Sequence, residues 1–188
     1  MRTVIAEIYY YSLDGICADE GSSFFKFCRA LPDDPAYLER ALGFYRNADM
    51  ILMGRTHYQS AAQYFTTTTD DPYAAVLNAA RKVVFSRTLA TADWANTSIA
   101  HGDLAAEVEQ LKRGGDGYLI ADGGFGLLRS LIRHDLIDEF RVSLVPYLAG
   151  KGTRIFDEME QPTKLELVSA APAGGGITNL IYRPVRRG

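Results

Sequence analysis

Tyr118-Leu119-Ile120-Ala121-Asp122-Gly123-Gly124-Phe125-Gly126-Leu127-Leu128-Arg129-Ser130-Leu131 is the stretch on which the fold turns. Its first four residues form an apolar run of the kind found in a strand buried on both faces. The run breaks at Asp122-Gly123-Gly124, after which Leu127, Leu128, Leu131 and Ile132 recur at helical spacing. The reading is strand, glycine turn, helix. Paired glycines let a backbone approach a ligand closely and adopt angles closed to other residues. The first turn of the helix offers N–H groups at the positive end of its dipole, which suits a phosphate. Asp122 stands at the carboxyl end of the strand, where open α/β sheets place their ligands. The glycines fall at 123, 124 and 126, which is not G-x-G-x-x-G, and turns of this type also serve as plain connections. The rest of the chain has to decide.

Working outward, Thr3 to Ser12 is rich in β-formers and predicts a central first strand, closed by the turn signal Asp14-Gly15. Residues 16 to 34 read as a long loop, with Phe24, Phe25 and Phe27 either pinning it to the core or forming an apolar wall for a flat ring. Asp34 as cap and Pro35 as first residue predict a helix to Ala48. Met50 to Met53 is a short buried strand ending at Gly54-Arg55-Thr56, followed by a helix over 56 to 65 and another over Pro72 to Ala80. Lys82 to Phe85 is the third strand and Thr97 to Ala100 a short fourth. A helix capped by Asp103 ends at Gly114-Gly115. Past the quoted stretch, Ile137 to Tyr147 reads as a long strand. Leu165 to Ser169 and Gly176 to Arg183 follow as a strand pair joined through Ala171 to Gly175. The alternation predicts an α/β protein: a mostly parallel sheet with helices on both faces and an antiparallel C-terminal pair, one domain over 1–188.

Composition narrows the classes. The chain has 188 residues, 47% hydrophobic and 23% charged, with a formal net charge of -3. That fits a globular protein with a sizeable core and gives no sign of a nucleic-acid surface. No apolar run is long enough for a membrane span, and the N-terminus enters a strand without signal-peptide features. Cys17 and Cys28 form no C-x-x-C, and His57, His101 and His134 are scattered, so two free thiols in the cytoplasm and no metal are expected.

Three strand ends repeat one arrangement. Met53 leads into Gly54-Arg55-Thr56, Phe85 into Ser86-Arg87-Thr88, and Ala121 into Asp122-Gly123-Gly124. Arginine is the preferred fork for phosphate. Two arginines with hydroxyls and a cradle of backbone N–H groups suit a ligand carrying two separated phosphate groups, such as a phosphorylated dinucleotide. Each arginine taken singly could equally be a solvated surface charge.

On these residues the chain resembles the dihydrofolate reductase superfamily, and within it the C-terminal reductase domain of riboflavin-biosynthesis deaminase-reductases. The marks are Ser12-Leu13-Asp14-Gly15, Met53-Gly54-Arg55 with Tyr58, Val84-Phe85-Ser86-Arg87-Thr88-Leu89, Asp122-Gly123-Gly124 with Leu127, and Val145-Pro146 followed by Gly150, Gly152 and Phe156. The resemblance implies a three-layer dihydrofolate reductase-like sandwich, a homodimer, and NADPH as hydride donor to a pyrimidine or pterin-like heterocycle. It implies that Gly54, Arg55, Thr56, Ser86 and Arg87 serve the adenosine end and its phosphates. Gly123, Gly124, Phe125, Gly126, Leu127 and Leu128 would cradle the pyrophosphate, with a cis Gly123–Gly124 peptide. Asp122 would be the catalytic and substrate-binding acid, and Asp14 a second substrate contact. The implied reaction is that of 5-amino-6-(5-phosphoribosylamino)uracil reductase, in a stand-alone form without a deaminase domain. Dihydrofolate reductase, a reductase of unrelated substrates and a non-catalytic nucleotide-binding protein are the alternatives. The chain departs from the family pattern at His57 and Gly126, where threonine is usual, and no acid on the first helix matches that of the folate enzymes.

Overall fold

The computed structural model describes residues 1–32, 34–122, 124–157, 159 and 161–185. The chain runs β1 (Thr3–Ser12), α1 (Ser23–Arg29), α2 (Pro35–Arg46), β2 (Met50–Gly54), α3 (Arg55–Phe65), α4 (Pro72–Ala79) and β3 (Lys82–Phe85). It continues through β4 (Thr97–Ala100), α5 (Leu104–Arg113), β5 (Tyr118–Asp122), α6 (Phe125–Arg133), β6 (Glu139–Val145), β7 (Leu165–Pro172) and β8 (Thr178–Pro184). Among the described residues the strands form one sheet in the order β4-β3-β2-β5-β1-β6-β8-β7. Neighbours from β4 to β6 are parallel, and β8 pairs antiparallel with both β6 and β7. This is the expected α/β sandwich with an antiparallel C-terminal edge.

The apolar strands explain the layering. Val4, Ala6 and Ile8 of β1 point to one face, where they meet Leu119 and Ala121 of β5, Val108 of α5, and Leu127, Leu128 and Leu131 of α6. Ile51 and Met53 of β2, Val84 of β3 and Ile120 of β5 point to the other, against Tyr45 of α2, Tyr58 of α3 and Leu77 of α4. Lys82 is an apparent exception, a lysine that is only 1% exposed. Its Nζ donates to the carbonyls of Leu77 and Ala80, both at 2.7 Å, and lies over the Trp94 ring, so it closes the carboxyl end of α4.

Three segments differ from the sequence reading. Residues 16 to 34 are not one loop, because Ser22 Oγ accepts the Phe25 N–H and starts the seven-residue α1. Phe24 is buried and stacks on Tyr147, which Phe27 also covers, so these two rings pin the segment to the core. The long strand from Ile137 to Tyr147 contracts to β6. Asp138 is occupied before it, accepting the Val4 N–H and pairing with Lys112, and Pro146 has no N–H to extend the ladder. In the C-terminal pair the first strand runs on to Pro172 and the second starts only at Thr178, because the chain reverses at Gly174, Gly175 and Gly176, all at positive φ. Nearly every residue of β7 is exposed, including Leu165, Leu167 and Val168, and a bulge shifts its register between Leu167 and Ser169.

Cys17 and Cys28 are free and buried. Burial pushes their thiols up to about 12 and about 11, so neither has thiolate character near neutral pH. Among the described residues no helix is long and apolar enough to cross a membrane.

Candidate active site

Because β3, β2 and β5 are adjacent and parallel, Phe85, Gly54 and Asp122 finish on the same edge of the sheet. A cleft of about 340 Å³ opens there. Gly54, Arg55, Thr56, Ser86, Arg87, Gly124, Gly126 and Leu127 line it, together with His57. The three strand ends singled out in the sequence therefore converge. Leu128 is instead buried in the core, and Phe125 packs against that core. Gly123, and with it the Gly123–Gly124 peptide, lies outside the described residues.

The cleft has a distinctive supply of donors. Helices α1, α2, α4 and α5 are each capped by a side chain, from Ser22, Asp34, Asp71 and Asp103. Helices α3 and α6 begin at Gly54 and Gly124 with no side-chain cap, and both open onto the cleft. A helix start without a cap leaves backbone N–H groups for another acceptor. Gly124 reaches this position at φ 71, a left-handed conformation that glycine adopts without strain. Leu127 comes so near Gly54 that a Cβ there would lie 3.4 Å from the Leu127 Cβ, which brings the two helix starts together.

Around this cradle the loop after β3 is held by its own hydroxyl. Ser86 Oγ accepts the N–H groups of Thr88 (3.2 Å) and Leu89 (3.0 Å). Its carbonyl accepts from His101 Nδ1 at 2.8 Å, and Arg55 Nη1 donates to Thr88 Oγ1 at 3.3 Å. Arg87 is exposed and makes no ion pair with any described residue. The cleft thus presents two guanidinium groups and two helix starts to one volume.

Asp122, the last residue of β5, does not line the cleft and is 8% exposed. Burial raises its carboxyl above the ordinary range, and His57, which lines the cleft, pulls the other way. The cap of α6 falls to Gly124 without a side-chain bond, so Asp122 does not cap that helix. Asp14 sits elsewhere, at the turn after β1. Ser12 Oγ donates to Asp14 Oδ1 at 2.6 Å, as does the Ala149 N–H at 3.0 Å, while the Gly150 N–H reaches Oδ2 at 2.7 Å. These bonds hold its carboxyl down at about 2 and tie the first turn to the loop after β6.

Glu7, His57 and Tyr45 are absent from the residues expected by sequence. Glu7 faces Asp122 in register across β1 and β5 and is likewise 8% exposed. A lone acid inside Val4-Ile5-Ala6-Glu7-Ile8 was the available signal, since buried strands rarely carry an unpaired carboxylate.

The sheet order, with a cleft at its carboxyl edge, is that of the dihydrofolate reductase-like fold. Within it the chain belongs to the RibD C-terminal domain family, whose model matches residues 2–178. The uncharacterized protein YyaP of Bacillus subtilis is 29% identical over 144 residues, covering 74% of this chain and 76% of its own. A putative riboflavin biosynthesis protein from Shewanella sp. PV-4 has the same fold, with a TM-score of 0.75 at 23% identity over 98% of this chain and 99% of that one. The deaminase/5-amino-6-(5-phosphoribosylamino)uracil reductase of Thermotoga maritima aligns with TM-score 0.66 and 16% identity over 97% of this chain and 56% of its own. Dihydrofolate reductase from Enterococcus faecalis, solved with NADP(H), aligns with TM-score 0.62 and 12% identity, covering 98% and 97%.

Proposed function

We propose that this protein is an NADPH-dependent reductase of the riboflavin-biosynthesis type, acting on a phosphorylated aminouracil such as 5-amino-6-(5-phosphoribosylamino)uracil. One observation carries the reading. The two helices without side-chain caps open onto the cleft that also holds Arg55 and Arg87. Uncapped N–H groups and guanidinium groups are donors only, so the set matches a ligand with several anionic oxygens. A dinucleotide with a pyrophosphate and a 2′-phosphate meets that requirement.

Arg55 and Arg87 would hold the adenosine end, and the N–H groups of Phe125 and Gly126 the pyrophosphate. Bound there, the reduced nicotinamide would supply a hydride. Asp122 would accept hydrogen bonds from the N–H and O–H groups of the substrate. Folate is the less favoured substrate. Asp34 spends its carboxylate on the N–H groups of Ala36 and Tyr37, and Glu39 is exposed and paired with Arg46.

The test is a calorimetric titration with NADPH and with NADH, followed by the aminouracil phosphate and absorbance of the reduced nucleotide. NADPH should bind about 10–100-fold more tightly, the worth of roughly 1.5–3 kcal/mol for a charge-assisted contact, and should be oxidised. Absence of NADPH binding would overturn the proposal in favour of a non-catalytic protein.

A further inference from the structure

Beneath helix α2, on the face of the sheet away from α5 and α6, two carboxyl groups stand side by side. Glu7 and Asp122 occupy opposite positions on β1 and β5, and each is more than nine-tenths buried. Glu7 Oε2 has no hydrogen-bond partner among the described residues. The Tyr45 hydroxyl is in the same condition, although it lies close enough to Asp122 to ease its ionisation. Native cores pair groups of this kind, and two left open at one spot call for an explanation. The backbone is also unusual here. The register of β1 on β6 slips between Ile8 and Tyr11, and Tyr10 is held at φ 52, a left-handed conformation that concentrates at functional sites.

Among the described residues no cation forms a direct ion pair with Glu7. Arg141 of β6 is in register with Glu7, but its Nε donates to Glu139 Oε1 at 2.9 Å and its guanidinium lies over the Phe44 ring. Arg183 of β8 holds the other Glu139 oxygen at 2.9 Å. Tyr9 of β1, Tyr37 and Tyr45 of α2 and Tyr73 of α4 complete the surroundings, each raised mainly by burial. Burial, with the Asp122 and Glu139 carboxylates, pushes the Glu7 carboxyl up to about 8 against the pull of Arg141. Glu7 therefore carries its proton at neutral pH, and an acid of that strength can give it up near pH 7.

We propose that Glu7 is the proton donor of the reduction and that it forms with Asp122 a carboxyl pair holding a single proton. The proposal rests on the reductase reading. With the ribose ring open, so that C1′ and its nitrogen form a C=N bond, C1′ would accept a hydride supplied by the reduced dinucleotide while the Glu7 O–H bond breaks and its proton goes to the nitrogen. C=N becomes CH–NH, both electrons come from the dinucleotide, and solvent returns a proton to Glu7. Repulsion from Asp122 favours that return, since two buried carboxylates this close resist ionising together.

The first measurement needs no substrate. Infrared spectra of the full chain across a pH titration should show a protonated carboxyl band that persists at pH 7 and fades near pH 8. Glu7→Gln should abolish the band, and Asp122→Asn should move its midpoint down by removing the neighbouring charge. A band untouched by Glu7→Gln, or none at pH 7, overturns the pair. The second is single-turnover reduction of the aminouracil phosphate with NADPH. Glu7→Gln should keep its melting temperature and NADPH affinity, slow the step about 100-fold or more, and lose the alkaline limb of the pH profile, with Glu7→Asp restoring part of the rate. An unchanged rate and profile overturns the donor role. If the unmutated protein binds NADPH but does not oxidise it, the reductase reading falls and the donor role with it, while the infrared arm still decides the shared proton.

Discussion

A Cβ added to Gly124 would lie 3.0 Å from the Cβ of His57. The start of α6 is thus packed against the first turn of α3 as closely as a glycine allows, and the donors of both helices depend on that approach. Gly124 also sits at φ 71, where other residues are strained by roughly 1–3 kcal/mol. Gly124→Ala should lower the melting temperature by about 2–4 °C per kcal/mol for a chain of this size, and should weaken NADPH more than its stability loss explains. A thermal-shift series with and without NADPH checks both. Equal ligand-induced shifts in the two proteins would show that the close approach plays no part in binding.

Arg87 projects into the cleft without an ion pair to any described residue. If it meets the 2′-phosphate, Arg87→Ala should cost NADPH about 10-fold or more in affinity, as expected for a charge-assisted contact of roughly 1.5–3 kcal/mol. NADH affinity should barely change. Calorimetry on both nucleotides reads the difference, and a parallel loss for the two would remove Arg87 from phosphate selection.

For Asp122 the expectation is a separation of effects. Asp122→Asn should spare folding and NADPH affinity, because the residue does not cap α6 and does not line the cleft. Turnover or substrate binding should fall about 10–100-fold, the range for a lost hydrogen bond to a charged group. Steady-state kinetics with the aminouracil phosphate decide it, and unchanged kinetics would leave Asp122 without a role in the reaction.

Asp14 predicts an acid-sensitive turn. Its carboxyl is held at about 2 by Ser12 and by the N–H groups of Ala149 and Gly150, below its unfolded value near ~4. The folded state therefore binds fewer protons, and the stabilisation is complete above about pH 4 and lost as pH falls toward about 2. Melting temperatures measured down that window should fall less steeply in Asp14→Asn than in the unmutated protein. Identical slopes would mean that the turn contributes nothing to acid stability.

Much of this was legible from local pattern. The step from an apolar run to the 3.6-residue spacing of Leu127, Leu128 and Leu131 marked β5 and α6, and the repeated endings of β2, β3 and β5 marked the cleft edge. Helix α1 escaped notice because its seven residues carry only Phe24 and Cys28 as a buried pair, too little for a periodic signal. Glu7 escaped because its significance lies in what stands opposite it, and Asp122 is more than a hundred residues away in the chain. The capping pattern was invisible for a similar reason. Gly54 and Gly124 read as ligand-facing glycines, but that the two uncapped helices they start share one cleft shows only in the fold.

A homodimer is the expected assembly, and β7 is the element that most needs a cover. Leu167 is 53% exposed and Val168 46%. Light scattering should give twice the protomer mass of 20.8 kDa, and Leu167→Lys should return the mass to one protomer. A monomer at high concentration in the unmutated protein would rule this assembly out.

The bulge in β7 bears on how such association ends. An open edge with unpaired N–H and C=O groups invites strand after strand to add, which is how fibres grow. The extra residue at Val168 interrupts the even spacing that a growing ladder requires and turns the edge out of plane. The apolar side chains of β7 can still be covered face to face by one further copy. The bulge therefore disfavours edge-to-edge addition of strands while leaving the apolar face of β7 open to a single covering surface.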